Sequence, residues 1–179
     1  MIVSKPIFLT GFMGVGKTKI GSILASRLSR TFIDTDNMIE AREGRPISRI
    51  FSEDGETYFR DLEHEYIREI CNLTGSVVAL GGGAVVESRN LELLCHNGVL
   101  VCIQATVDTI LSRTDRRNDR PLLSGLNREA KREKICAMLA DRAPFYQRAH
   151  LTIKSEKDSM PENTVTELIC RLEQLFENN

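Results

Sequence analysis

The sequence predicts a three-layer α/β/α fold on a five-stranded parallel sheet, and three observations carry that expectation. Short apolar runs of strand length alternate with stretches of helical spacing along the 179 residues, the pattern that parallel strands and their crossover helices require. Gly11-Phe12-Met13-Gly14-Val15-Gly16-Lys17-Thr18 fits the phosphate-loop pattern G-x-x-x-x-G-K-[ST] and sits between the first apolar run and the first helical one. Two further apolar runs lead directly into Asp34-Thr35-Asp36 and Gly81-Gly82-Gly83. Those residues fall at the carboxyl ends of strands, where open α/β sheets bind ligands.

Taken in order, Ile7-Phe8-Leu9-Thr10 reads as a short buried strand. Lys17 to Leu28 reads as a helix with Ile20, Ile23, Leu24 and Leu28 on one stripe. Phe32-Ile33 begins a second strand that runs into Asp34. A helical stretch from Asn37 to Arg42 stops near Gly44, and a second starts at Pro46 with Ile47, Ile50 and Phe51 on its apolar face. Gly55 is expected to break that second stretch. From Thr57 to Leu73 the stripe is Phe59, Leu62, Tyr66, Ile70 and Leu73, which leaves Arg60 near the helix start and off the stripe. Val77 to Leu80 is the third strand. Ser88 to Asn97 is a helix with Ser88 as its cap, and Gly98 to Gln104 is the fourth strand. A helix begins at Val107. Asp115 to Asn127 is polar, contains Gly125, and has the length and composition of a mobile lid. Helical spacing resumes from Arg128 to Arg142 until Pro144 interrupts it. Leu151-Thr152-Ile153 is a weak last strand, and Pro161 opens a final helix with Val165, Leu168, Ile169, Leu172, Leu175 and Phe176 on its buried side.

Composition narrows the class. One α/β domain spanning 1–179 is the simplest reading, long enough to bury roughly 70% of its unfolded surface. The hydrophobic fraction of 41% and charged fraction of 27% are ordinary for a soluble protein. No apolar run is long enough to span a bilayer, and positions 1–6 lack a signal pattern, so a cytoplasmic protein without membrane contact is expected. The five cysteines are odd in number and have no close pair spacing, and the three histidines are scattered, so neither disulfides nor zinc is indicated. A net charge of -1 argues against a nucleic-acid partner. The basic cluster Arg113, Arg116, Arg117 and Arg120 is local and interleaved with Asp115 and Asp119, which suits a small phosphorylated ligand. With no exposed apolar stripe legible, a monomer is the default.

In the phosphate loop, glycines let the backbone curl so that several N–H groups point at one set of phosphate oxygens. The following helix adds the positive end of its dipole. Gly14, Val15, Gly16, Lys17, Thr18 and Lys19 are thus candidates for ATP binding, with Lys17 reaching the β- and γ-phosphates and Thr18 placing its hydroxyl on Mg²⁺. The Asn-Lys-x-Asp reader of guanine is absent. A compact phosphate-loop domain with an arginine-rich lid reads best as a kinase of a small molecule, although the loop alone says only nucleotide. Three successive glycines after the third strand allow a ligand to approach the backbone closely.

Behind GFMGVGKT, the pieces Asp34-Thr35-Asp36, Phe59-Arg60, Gly81-Gly82-Gly83, Arg120-Pro121-Leu122-Leu123 and Arg142-Ala143-Pro144-Phe145-Tyr146 follow in order. Together they closely resemble the shikimate kinase family over about residues 6 to 175. The resemblance implies a P-loop fold like that of nucleoside monophosphate kinases, with a substrate-binding helical segment at about 37–61 and a lid at about 115–127. It implies transfer of the ATP γ-phosphate to the 3-hydroxyl of shikimate, a step of the shikimate and chorismate pathway of aromatic amino-acid biosynthesis.

Shikimate is a polyhydroxylated carboxylate, so its site needs a cationic clamp and an acceptor for hydroxyl protons. Arg60 and Arg142 are expected as the clamp, since a guanidinium fork matches a carboxylate with two parallel hydrogen bonds. By the family match, Asp36 takes ring hydroxyls and Gly82 offers its N–H. Lys17 and Arg120 neutralise charge on the transferred group, and Arg113 lies near adenine. Asp34 is expected to hold Mg²⁺ through water, with Thr18 as the direct ligand. Two departures stand out: Lys154-Ser155 replaces the family's Asp-Thr after the last strand, and Asp61 stands where some relatives carry a second arginine.

Overall fold

A computed structural model describes residues 5–114, 123, 125–157 and 159–177. The sequence-predicted lid and its Arg116, Arg117 and Arg120 lie outside the described residues, except for positions 123 and 125–127. The five strands are β1 (Ile7–Thr10), β2 (Thr31–Asp34), β3 (Ser76–Ala79), β4 (Val99–Gln104) and β5 (Leu151–Lys154). They pair in parallel in the order β2-β3-β1-β4-β5, so the expected sheet is the one formed.

Strand alternation explains why the sheet is covered on both faces. Ile7 and Leu9 of β1, Val77 of β3, and Val99, Val101 and Ile103 of β4 enter one core with Ile20, Leu24, Leu168 and Leu172. Phe8, Val78, Leu100 and Cys102 point the other way, into a second core with Ile67, Ile70, Leu91 and Leu94. The first core is closed by α1 (Lys17–Arg27) and α8 (Pro161–Glu177), and the second by α4 (Gly55–Ile70) and α5 (Ser88–Asn97).

A third, smaller cluster of Ile39, Ile50 and Phe59 holds together α2 (Thr35–Glu43), α3 (Ile47–Glu53) and the start of α4. The remaining helices are α6 (Val107–Thr114) and α7 (Arg128–Tyr146). Asn127 caps α7 by accepting from the Ala130 N–H at 2.9 Å. No helix among the described residues is long and apolar enough to cross a membrane.

Gly55 breaks the second helical stretch as expected: α3 ends at Glu53, and Gly55, with φ 86°, turns the chain into the first position of α4. Three local expectations are corrected. Ser88 does not cap α5, because the helix starts at Ser88 and no side-chain cap bond forms there. Pro144 sits inside α7, two residues before its end, where its missing N–H costs one hydrogen bond and does not stop the helix. The buried stripe of α4 is Phe59, Glu63, Ile67 and Ile70, while Leu73 lies beyond the helix and is exposed.

Backbone crowding at the start of β4 gives a direct test. A Cβ on Gly98 would lie 2.5 Å from both the Phe8 ring and the Pro6 carbonyl, the same carbonyl that accepts from the Val99 N–H at 2.9 Å. Gly98→Ala is expected to lower stability by about 1–3 kcal/mol, read as a lower urea midpoint at unchanged m value. A wild-type midpoint would show that β1 and β4 separate without cost.

Candidate active site

The carboxyl ends of β1, β2 and β3 open into one cleft of about 200 Å³, whose lining includes Gly14, Lys17, Thr18, Asp34, Asp36 and Gly82. At its β1 side, Gly14 and Gly16 take φ values of 79° and 100°, conformations that a side chain would strain. Gly11, at φ 140°, is fixed on a second ground as well, since a Cβ there would lie 2.2 Å from the Ile103 carbonyl. Gly16 precedes α1 without a side-chain cap, so the first N–H groups of the helix face the loop unsupplied by a capping oxygen. Lys17 Nζ curls back to the carbonyls of Gly11 at 2.7 Å and Phe12 at 3.1 Å. Lys19 also lines the cleft and is exposed.

One carboxylate joins this loop to the rest of the site. Asp34 Oδ2 accepts from the Thr18 hydroxyl at 2.7 Å, while Oδ1 accepts from the N–H groups of Asp36 and Asn37 at 3.2 and 3.4 Å. Asp34 is therefore the N-cap of α2, and the cap sets where Asp36 leaves the backbone. Thr35, buried next to it, accepts from the Gly81 N–H at 2.9 Å.

The glycine turn after β3 is crowded by protein groups. A Cβ on Gly81 would meet Asp36 Oδ1 at 2.7 Å and Glu63 Oε1 at 2.9 Å, and a Cβ on Gly83 would meet both Arg60 terminal nitrogens at 3.0 Å. These two glycines therefore make room for side chains of the site itself, which revises the expectation that all three admit a ligand. The Gly82 carbonyl accepts from Arg142 Nη1 at 2.8 Å and from the Tyr146 hydroxyl at 3.3 Å. Arg142 also lies 5.3 Å above the Phe12 ring, a cation–π contact. The turn is held from behind by Asn90, whose Nδ2 donates to the Ala84 carbonyl at 3.0 Å and whose Oδ1 lies 2.6 Å from His64 Nδ1. Asp36, Arg60, Gly82 and Arg142 thus converge on one turn, and Asp36 and Gly82 line the cleft that the phosphate loop bounds.

The shikimate kinase family model matches residues 13–173 of this chain. The shikimate kinase of Chlorobium luteolum is 40% identical over 174 residues, covering 94% of this chain and 86% of the relative. Among solved structures, the Bacteroides thetaiotaomicron shikimate kinase superposes with a TM-score of 0.90 at 34% identity, covering 94% of this chain and 98% of the other. The Acinetobacter baumannii shikimate kinase in complex with shikimate gives 0.88 at 34% identity, with coverage of 98% and 94%. The chain belongs to the shikimate kinase family.

Two residues that hold Arg60 against the glycine turn escaped the sequence reading. Glu63 is buried, and its Oε2 accepts from Arg60 Nη1 at 2.8 Å, while exposed Glu56 accepts from Arg60 Nη2 at 3.1 Å. Burial opposes charge on both members of the buried pair. For Arg60, Glu63 and Glu56 outweigh burial and raise its pKa. For Glu63, burial is the larger effect and raises its pKa even against Arg60, with Asp36 and Glu87 adding to the rise. The signal was available in the i,i+3 spacing of Arg60 and Glu63, but a glutamate reads as solvent-facing until the helix is packed.

Arg113 donates to P-loop carbonyls and to the turn after β5. Asp61, where some relatives carry arginine, pairs with Arg89 at 2.8 Å on the surface.

The raised pKa of Glu63 sets the sign of a pH effect. The folded chain holds its proton more tightly than the unfolded chain, so the contribution of Glu63 to stability falls as pH rises through the ordinary carboxylate range toward its folded value. Denaturation of wild type and Glu63→Gln from about pH 4 to 7 should show the difference, wild type minus variant, declining with pH. A difference that rises over that range would mean that Arg60 overcomes the burial.

Proposed function

We propose that this protein transfers the γ-phosphate of ATP to the 3-hydroxyl of shikimate, releasing shikimate 3-phosphate and ADP in the route to chorismate and the aromatic amino acids. The observation that carries the reading is the placement of Arg60, Arg142 and Asp36 around one glycine turn, with Asp36 and Gly82 lining the same cleft as an intact phosphate loop. Two guanidinium groups suit a carboxylate, and a carboxylate beside them suits a hydroxyl. The phosphate loop supplies backbone N–H groups for the donor.

Each side chain then has a distinct task. Arg60 and Arg142 clamp the substrate carboxylate, with charge-assisted hydrogen bonds worth about 1.5–3 kcal/mol each. The Gly82 N–H adds a contact close to the ring. Asp36 orients the attacking hydroxyl and takes its proton as the bond to phosphorus forms. Phosphoryl transfer runs through a loose transition state, so placement of that hydroxyl counts for more than the strength of the base. Lys17 leaves the carbonyls of Gly11 and Phe12 to meet the β- and γ-phosphates, and Arg120, whose role is inferred from the resemblance to the family, brings a second positive charge. Closure of the lid at about 115–127 excludes water, which keeps ATP from hydrolysis.

The Thr18 hydroxyl and the Asp34 carboxylate, 2.7 Å apart in the cleft, are hard oxygen donors of the kind Mg²⁺ prefers. Thr18 would ligate it directly and Asp34 through water. When bound, Mg²⁺ neutralises phosphate charge. The same reading places a one-domain monomer in the cytoplasm, with no nucleic acid or membrane partner.

The deciding experiment is Mg²⁺- and ATP-dependent ADP release by the purified protein with shikimate, quinate, gluconate or no acceptor. Strong stimulation by shikimate alone is expected. Stimulation by another acceptor would leave the kinase and remove the pocket assignment.

Asp36→Asn is expected to retain ATP binding and to lose about 100-fold or more in kcat; near wild-type turnover would take Asp36 out of the mechanism. For Arg60→Ala, the KM for shikimate should rise about 10–100-fold with a smaller change in kcat. An unchanged KM would argue against the clamp.

A further inference from the structure

Arg113 carries an arrangement that adenine binding does not account for. Its Nη1 donates to the Val15 carbonyl at 3.0 Å, the Gly14 carbonyl at 3.3 Å and the Ser155 hydroxyl at 3.1 Å, and its Nη2 donates to the Glu156 carbonyl at 3.1 Å. All four acceptors are neutral oxygens, two in the phosphate loop and two in the turn after β5. That turn is itself fixed, since the Ser155 N–H donates to the Gln104 carbonyl at 2.7 Å and Ser155 is buried. Arg113 therefore ties the phosphate loop to the end of β4 through β5, across a sequence separation of 98 residues between Val15 and Arg113.

We propose that Arg113 is a positioning residue that aims the phosphate-loop N–H groups by holding the Gly14 and Val15 carbonyls, and that Ser155 braces it. The physical basis is the planar trans peptide, in which the C=O and the following N–H point to opposite sides. Fixing the Val15 carbonyl toward Arg113 fixes the Gly16 N–H on the opposite edge of that peptide. The Gly14–Val15 peptide is held on both edges, its carbonyl by Arg113 at 3.3 Å and its Val15 N–H by the Phe12 carbonyl at 3.4 Å.

Without the guanidinium, the Val15–Gly16 peptide loses the hydrogen bond that Arg113 gives its carbonyl, and the glycines at φ 79° and 100° offer little resistance to its rotation. A lysine at this position would keep the charge but not the planar fork that reaches both segments. The role differs from a stacking contact with adenine, because it acts on phosphate through backbone and is indifferent to the base. It also gives Ser155 a task at the position where the family's Asp-Thr is absent.

The inference rests on the reading of this loop as the ATP site, so the test separates the two. Binding of Mg²⁺–ADP, Mg²⁺–tripolyphosphate and adenosine is measured for wild type, Arg113→Ala, Arg113→Lys and Ser155→Ala, with steady-state kinetics alongside. Wild type binding ADP no more tightly than adenosine would defeat the ATP-site reading and this proposal with it.

Given a normal wild type, both Arg113 variants should weaken ADP and tripolyphosphate equally, by about tenfold or more. Adenosine affinity should stay within about twofold, and kcat should fall as well as the affinity for ATP. Ser155→Ala, which leaves Arg113 in place, should weaken tripolyphosphate about two- to fivefold and decides the matter if the Arg113 variants do not fold. Losses confined to ADP and adenosine, full rescue by lysine, or unchanged tripolyphosphate binding in Ser155→Ala would each overturn the proposal.

Discussion

The Asp34 carboxylate is the interaction on which the geometry of the site depends. Its two oxygens serve two different elements: one caps α2 through the N–H groups of Asp36 and Asn37, and the other accepts from Thr18 at the start of α1. The phosphate-loop end and the α2 end of the cleft are thereby referred to a single group at the end of β2. A shift of α2 would move Asp36 and disturb Thr18 at the same time. Thr35 extends the coupling to β3 by accepting from the Gly81 N–H. The ends of β2 and β3 and the start of α1 are thus joined by hydrogen bonds between protein groups, which is how a site lowers the cost of ordering its substrates.

The Arg60–Glu63 pair has a different purpose from the surface ion pairs. The side chains of Arg42–Glu69 and Arg49–Glu53 are each 43% exposed or more, and such pairs contribute little to stability. Glu63 is buried beneath the glycine turn, where withdrawing two charges from water offsets most of their attraction. What the pair secures is position: the guanidinium is held against Gly83, and the carboxylate lies beside Asp36 across Gly81. Arg142 is placed by other means, through the Gly82 carbonyl and the Phe12 ring. The two arginines of the proposed clamp therefore come from α4 and α7, far apart in the sequence, and meet because Arg60 packs against Gly83 and Arg142 against Gly82 of one turn.

Catalytic geometry of this kind is supported by an ordinary core. Alternate residues of β1, β3 and β4 enter separate cores on the two faces of the sheet, which keeps the strand ends rigid. The small cluster of Ile39, Ile50 and Phe59 is thinner. It carries α2, α3 and the first turns of α4, which bear Asp36 and Arg60. This segment has fewer apolar groups to hold it than the sheet has, and it is the part of the described structure best suited to adjust when a substrate enters.

By itself, the sequence determined the order of elements, the parallel sheet, the phosphate loop and the family. These follow from local pattern: apolar period, glycine placement and motif spacing act over a few residues and survive in a linear string. It also named Asp36, Arg60, Gly82 and Arg142, which the fold gathers around one turn. Tertiary structure alone decided why the neighbouring glycines must be glycine, since the atoms that crowd Gly81 and Gly83 come from α2 and α4. It alone placed Glu63 inside, because an acid on a helix is buried or exposed according to what packs there. Arg113 shows the same limit: its acceptors are 98 and 42 residues away at Val15 and Ser155, and contacts between such distant residues exist only once the sheet has brought its strand ends together.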